Sequence, residues 1–117
     1  MYKRQLCGGI EYRNDFQYSF QCFSEAGREP LDRTVIDRIK QLQHLVSEFI
    51  VTSITLDGTG NGVDCDVLNV LKNSDIESVI TLCGGITPES FTHLESFSSR
   101  FPQLTGVAMS TYPLRFA

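Results

Sequence analysis

Asp57-Gly58-Thr59-Gly60-Asn61-Gly62 is the stretch whose composition best suits chemistry. Its glycines let backbone N–H groups converge, and such a loop between a strand and a helix can cradle a phosphate. It lacks the lysine and hydroxyl residue of a P-loop and does not fit G-x-G-x-x-G. Asp57 and Asp64 on either side carry charge that repels an anion. With Asp66 they could hold a divalent cation, although the spacing is not that of an EF-hand. The plainer reading is a connection that needs positive φ. Cys83 and His93 form the other pair of chemical interest; a cysteine nucleophile needs a nearby base and a lowered pKa. The cysteines Cys7, Cys22, Cys65 and Cys83 contain no C-x-x-C, and neither histidine sits at ligand spacing from one. They read as reduced thiols, with no metal site and no cofactor implied.

These residues need a scaffold, and the bulk numbers allow one. The chain has 117 residues, 41% apolar and 21% charged. That is expected to give one globular domain over 1–117, in two parts: a β-hairpin over 1–28 and an α/β part over 29–117. The formal net charge of −4 argues against direct nucleic-acid binding and suits a basic protein partner. No apolar run reaches membrane length. Met1-Tyr2-Lys3-Arg4-Gln5 leads into a glycine pair and not a secretory signal, so a cytoplasmic location is expected.

Local patterning predicts the elements. Ile10 and Tyr12 alternate with Glu11 and Arg13, and Phe16, Tyr18, Phe20 and Cys22 with Gln17, Ser19 and Gln21. Both are period-2 strands, and Asn14-Asp15 between them suits a two-residue turn. Residues 30–49 are predicted as the longest helix, with Pro30 in its first turn and Val35, Ile39, Leu42, Val46 and Phe49 as its stripe. Strands are predicted over Val51 to Asp57, Ile76 to Cys83 and Leu104 to Ser110. Helices are predicted over 63–73 and from Thr87-Pro88, the latter with Phe91, Leu94, Phe97 and Phe101 buried. The string Leu-Cys-Gly-Gly-Ile occurs at both 6–10 and 82–86.

Val51-x-x-Ile54-x-Leu56, Ile76-x-x-Val79-x-Thr81 and Leu104-x-x-Val107-x-Met109 share one spacing. This pattern resembles the ribonuclease-inhibitor-like leucine-rich repeat. The alternative architecture is a small α/β sandwich with a parallel sheet. The repeat's asparagine position holds Thr59, Gly84 and Tyr112, so its side-chain ladder is absent. The resemblance implies a curved sheet with Ser53, Thr55, Asp57, Ser78, Ile80, Leu82, Gly106, Ala108 and Ser110 facing outward. Ile80 and Leu82 would then need a cover, a partner or the N-terminal hairpin. Asp64-Cys65-Asp66 is similar to the first half of the haloacid-dehalogenase aspartate motif, without the apolar strand that should precede it.

The function expected from these features is a protein-binding module and not an enzyme. Its specific form would be an inhibitor or immunity protein for a basic toxin or nuclease. Ser53, Thr55, Asp57, Asp64, Asp66, Asp75, Glu77, Ser78, Ile80 and Leu82 would be its partner-binding residues. The alternative is a phosphate- or metal-binding enzyme using the Asp57–Gly62 loop. A homo-oligomer through the edge of the last strand is a further expectation.

Overall fold

Alternation sets the first strands. β1 (Cys7–Arg13) buries Ile10 and Tyr12, and β2 (Gln21–Ser24) returns antiparallel with Cys22 opposite Tyr12. The computed structural model describes residues 7–24, 29–57, 59, 60, 62–109 and 112–115, with backbone alone for Met109 and 112–115. Leu6, Gly58, Asn61 and Ser110 lie outside the described residues. The hairpin has a broader turn than Asn14-Asp15. The Asp15 carboxylate accepts from the N–H groups of Gln17 and Tyr18, and the Asp15 N–H donates to the Tyr18 carbonyl. These bonds close a loop over 14–20 and leave Phe16 fully exposed rather than in a strand.

The predicted helix over 30–49 is the largest departure. Residues Glu29–Thr34 form β3, antiparallel to β2 on the sheet edge, where Pro30 is tolerated. Thr34 then caps α1 (Val35–Leu42): its hydroxyl accepts from the Asp37 N–H, and the Asp37 carboxylate accepts from the Thr34 N–H. α1 ends at Leu42, and Phe49 belongs to β4 (Glu48–Ser53). The apolar spacing that suggested one long helix therefore runs across an element boundary.

The rest alternates helix and strand. α2 (Cys65–Lys72), β5 (Val79–Cys83), α3 (Pro88–Ser98) and β6 (Leu104–Met109) follow in order. Thr87 caps α3 and Pro88 occupies its first turn, as the sequence predicts. β7 (Tyr112–Arg115) then lies antiparallel against β6, so the expected open edge beside β6 is already paired. Among the described residues the strands form one sheet, ordered β3-β2-β1-β4-β5-β6-β7. β1, β4, β5 and β6 are mutually parallel. The chain is mixed α/β.

Register decides which face each residue takes. Ile10, Val51, Leu82 and Val107 form one row across the parallel strands, and Gly8, Phe49, Ile80 and Leu104 another. Both rows pack against Val35 and Ile39 of α1, Val67, Leu68 and Leu71 of α2, and Leu94 and Phe97 of α3 in a single core. Fully burying each such aliphatic side chain stabilises by about 1.5–3 kcal/mol. Ile80 and Leu82 thus face the helices, and the hairpin expected to cover them lies within the sheet. The opposite face carries Gly9, Glu11, Glu48, Ile50, Thr52 and Cys83, exposed or half-buried, together with the buried Phe23 and Thr81.

The three repeat-like strings do not hold equivalent places. Val51 and Val107 face the core, but Ile76 precedes β5 and Val79 and Thr81 point to the other face. Ile54 and Leu56 lie in a turn after β4. The duplicated Leu-Cys-Gly-Gly-Ile string also splits. Its first copy enters β1, whereas its second leaves β5 with Gly84 and Gly85 at φ 105° and 76°.

Candidate functional site

Because four strands run parallel, their C-terminal ends collect at one side of the sheet. Glu11, Thr52, Cys83 and Ala108 stand in register there, one from each strand, on the face away from the helices. Glu11, Thr52, Ile54 and Asp57 line one depression of about 260 Å³. Asp57 reaches it from the turn after β4, where its N–H donates to the Ser53 carbonyl at 2.9 Å. The Cys83 thiol is raised above its ordinary value by burial first, with the Asp57 charge adding to the rise, against a hydrogen bond from Thr52. It therefore keeps its proton at neutral pH and is unsuited to the nucleophilic role considered with His93.

The loops beyond these ends interlock. The Gly62 N–H donates to the Gly85 carbonyl at 3.0 Å, joining the β4–α2 and β5–α3 connections. Glycine is required on both sides of this contact. A Cβ on Gly84 would lie 2.8 Å from the Ser53 carbonyl oxygen, and one on Gly85 would collide with the Gly62 carbonyl oxygen. Gly60 and Gly62 also hold positive φ, 65° and 98°. Outside this contact a cleft of about 730 Å³ is lined by Gly60, Gly62, Cys65, Thr87, Glu89 and His93, among others. It lies against the N-terminus of α3, whose dipole favours an anion.

The residues predicted to bind a partner fall into two groups. Ser53, Ser78, Ile80 and Leu82 are buried, at 3%, 2%, 0% and 2% exposure. The outward placement given to them is corrected by sheet parity, and Ser78 spends its hydroxyl on the Val46 carbonyl at 2.9 Å. Thr55, Asp57, Asp66, Asp75 and Glu77 are exposed. Asp64 is half-buried and caps α2, accepting from the Asp66 and Val67 N–H groups. Asp75 and Glu77 precede β5, at the opposite end of the sheet from Asp57. Among the described residues no three His, Cys, Asp or Glu side chains gather as metal ligands. His93 lines the cleft with Cys65 and not with Cys83. Glu11, Thr52 and Tyr12 were missed. Their only sequence signal was a place near the ends of strands.

The profile of a family described as "Histidine biosynthesis protein" matches residues 1–108. The chain belongs to that family. The chain is 32% identical over 91 residues to "Imidazole glycerol phosphate synthase subunit HisF" of Staphylococcus carnosus, covering 76% of the chain and 36% of that relative. A protein of the same name from Gluconacetobacter diazotrophicus is 35% identical over 60 residues, 50% of the chain and 23% of the relative. Another, from Methanopyrus kandleri, is 34% identical over 62 residues, 52% of the chain and 23% of the relative. The chain thus spans about a third or less of the curated relatives it matches.

Membership replaces the leucine-rich-repeat resemblance. It also overturns the inhibitor or immunity reading with its toxin or nuclease partner, and the expectation of a non-enzyme, since the relatives are named as a synthase. Among the described residues no helix is long and apolar enough to cross a membrane.

Proposed function

We propose that the chain is part of a (β/α)8 barrel that binds a phosphate ester at its strand ends, with Glu11 and Asp57 as its proton-transfer carboxylates. The observation that carries this reading is the shared depression of Glu11, Thr52 and Asp57 at the C-terminal ends of β1 and β4. Barrel enzymes of this type place their chemistry at the C-terminal ends of parallel strands, and often hold phosphate between late loops and a helix N-terminus. The relatives are named for imidazole glycerol phosphate, a phosphate ester. Gly60 and Glu89 line the cleft and offer backbone N–H groups for such a group, and paired carboxylates suit general acid–base work. Of the alternatives the sequence raised, this takes up the phosphate-binding enzyme.

The open face of the sheet fits the same reading, because parallel strands are normally covered on both faces. Further barrel strands would cover it. The relatives' name also calls each of them a subunit, so a second protein is a fitting partner, with Thr55, Asp66, Asp75 and Glu77 exposed on the surface. Residues 1–117 would act as one unit in the cytoplasm.

Titration calorimetry with imidazole glycerol phosphate, glycerol phosphate and glycerol tests the proposal. The two phosphate esters should bind and glycerol should not. Equal heats from all three, or none from any, would remove it.

A further inference from the structure

We infer that Tyr12 fastens both ends of the β4–α2 loop and thereby positions Asp57 and Gly62. Tyr12 is fully buried and holds the loop at two points. Its hydroxyl donates to Asp64 Oδ2 at 2.9 Å. Ser53 is the last residue of β4, and Asp64 is the cap that begins α2. The phenol, reaching across from the neighbouring strand, therefore holds the far end of the loop. The Tyr12 carbonyl holds the near end by accepting from the N–H of Ile54, next to Ser53, at 2.9 Å.

Each end passes the constraint on. On one side, the Ser53 hydroxyl accepts from the Leu56 N–H at 3.3 Å and the Ser53 carbonyl from the Asp57 N–H at 2.9 Å, which folds the turn that presents Asp57. On the other, Asp64 Oδ1 accepts from the Asp66 and Val67 N–H groups at 3.1 and 3.2 Å, while Asn14 donates to Oδ2 at 3.2 Å. Gly62 lies two residues before that cap and donates to Gly85. Asp64, which from sequence looked like an acid repelling anions, is thereby turned toward Tyr12 and the α2 backbone. Tyr12 bridges the two loop ends through its hydroxyl and its carbonyl, and Asp57 and the glycine contact both hang from those ends.

Tyr12 is a positioning residue, and its importance for ligand binding rests on the phosphate-ester reading above. Amide hydrogen exchange separates the two questions, because it needs no ligand. In Tyr12→Phe, exchange of the Gly62 N–H should quicken about tenfold, the loss expected for one buried hydrogen bond, while the Val51 and Leu82 N–H groups keep their protection. Glycerol phosphate should bind about tenfold more weakly to the same variant. Asp64→Asn keeps an oxygen for the α2 cap but turns an NH2 toward Tyr12 and Asn14, so it should behave like Tyr12→Phe at Gly62, and Asp64→Ala, which also loses the cap, should exceed both. Unchanged Gly62 exchange in Tyr12→Phe, or an equal rise across the whole sheet, would overturn the inference. Faster Gly62 exchange in a chain that binds no phosphate ester would uphold the fastening and sink the phosphate-ester reading.

Discussion

Tyr12, Cys22 and Cys83 each bury a group that must stay neutral. Burial, then the Asp64 charge, holds the Tyr12 phenol far above its ordinary value of 10.0. Burial pushes Cys22 up to about 11 and also raises Cys83 from 9.0. In the unfolded chain these groups ionise near their ordinary values, while the folded chain keeps their protons. Above pH 9 the unfolded state therefore binds fewer protons, and stability falls as pH rises. The contribution is fully present below pH 9 and declines through the alkaline range, first with the two thiols and then with the phenol. The melting temperature should be flat from pH 7 to 8.5 and drop by roughly 5 °C or more by pH 11. A melting temperature that held level to pH 11 would show these groups to be exposed in solution.

At the scale of elements, β4 reads as strand from its composition, but its faces do not. Val51 is fully buried against the helices and Ile50 is half-buried on the other side. Val51→Glu should unfold the chain, since it places an unpaired charge in the core. Ile50→Glu should cost less than about 1 kcal/mol by urea denaturation, as its face stays open to water. Equal losses from the two would mean that the sheet is covered on both faces in the isolated chain. The same distinction explains what could be read in advance. α3 was legible because Thr87-Pro88 is a local start signal that tertiary contacts did not override. α1 was misread because its apolar spacing continues into Phe49, and Thr34 with Asp37 marks the true start only through a reciprocal cap. β3 and β7 were missed since each gains its order from a neighbouring strand. Ile80 and Leu82 were placed on the wrong face because a one-residue change in phase inverts a strand.

At the scale of the molecule, the site is an outcome of parallelism. Glu11 and Asp57 are 46 positions apart in sequence, and only the β1–β4 pairing brings them to one depression. No sequence spacing announces such a pair, whereas the glycines of the Asp57–Gly62 loop did announce a special backbone. The open face belongs to the same scale. β2 lies beside β1 and β7 beside β6, in the places where adjoining barrel strands would pair. Completing a barrel would require these two antiparallel neighbours to move aside or to be bypassed at the rim.

The central claim is that a phosphate ester sits where the β4–α2 loop meets the start of α3. An amide-resolved NMR titration of the 117-residue chain with glycerol phosphate tests it most directly. The account predicts saturating shifts at the N–H groups of Gly60, Gly62 and Glu89, with Asp75 and Glu77 at the far end of the sheet unmoved. Shifts centred on Asp75 and Glu77, or none at the glycines up to the highest concentration reached, would contradict it.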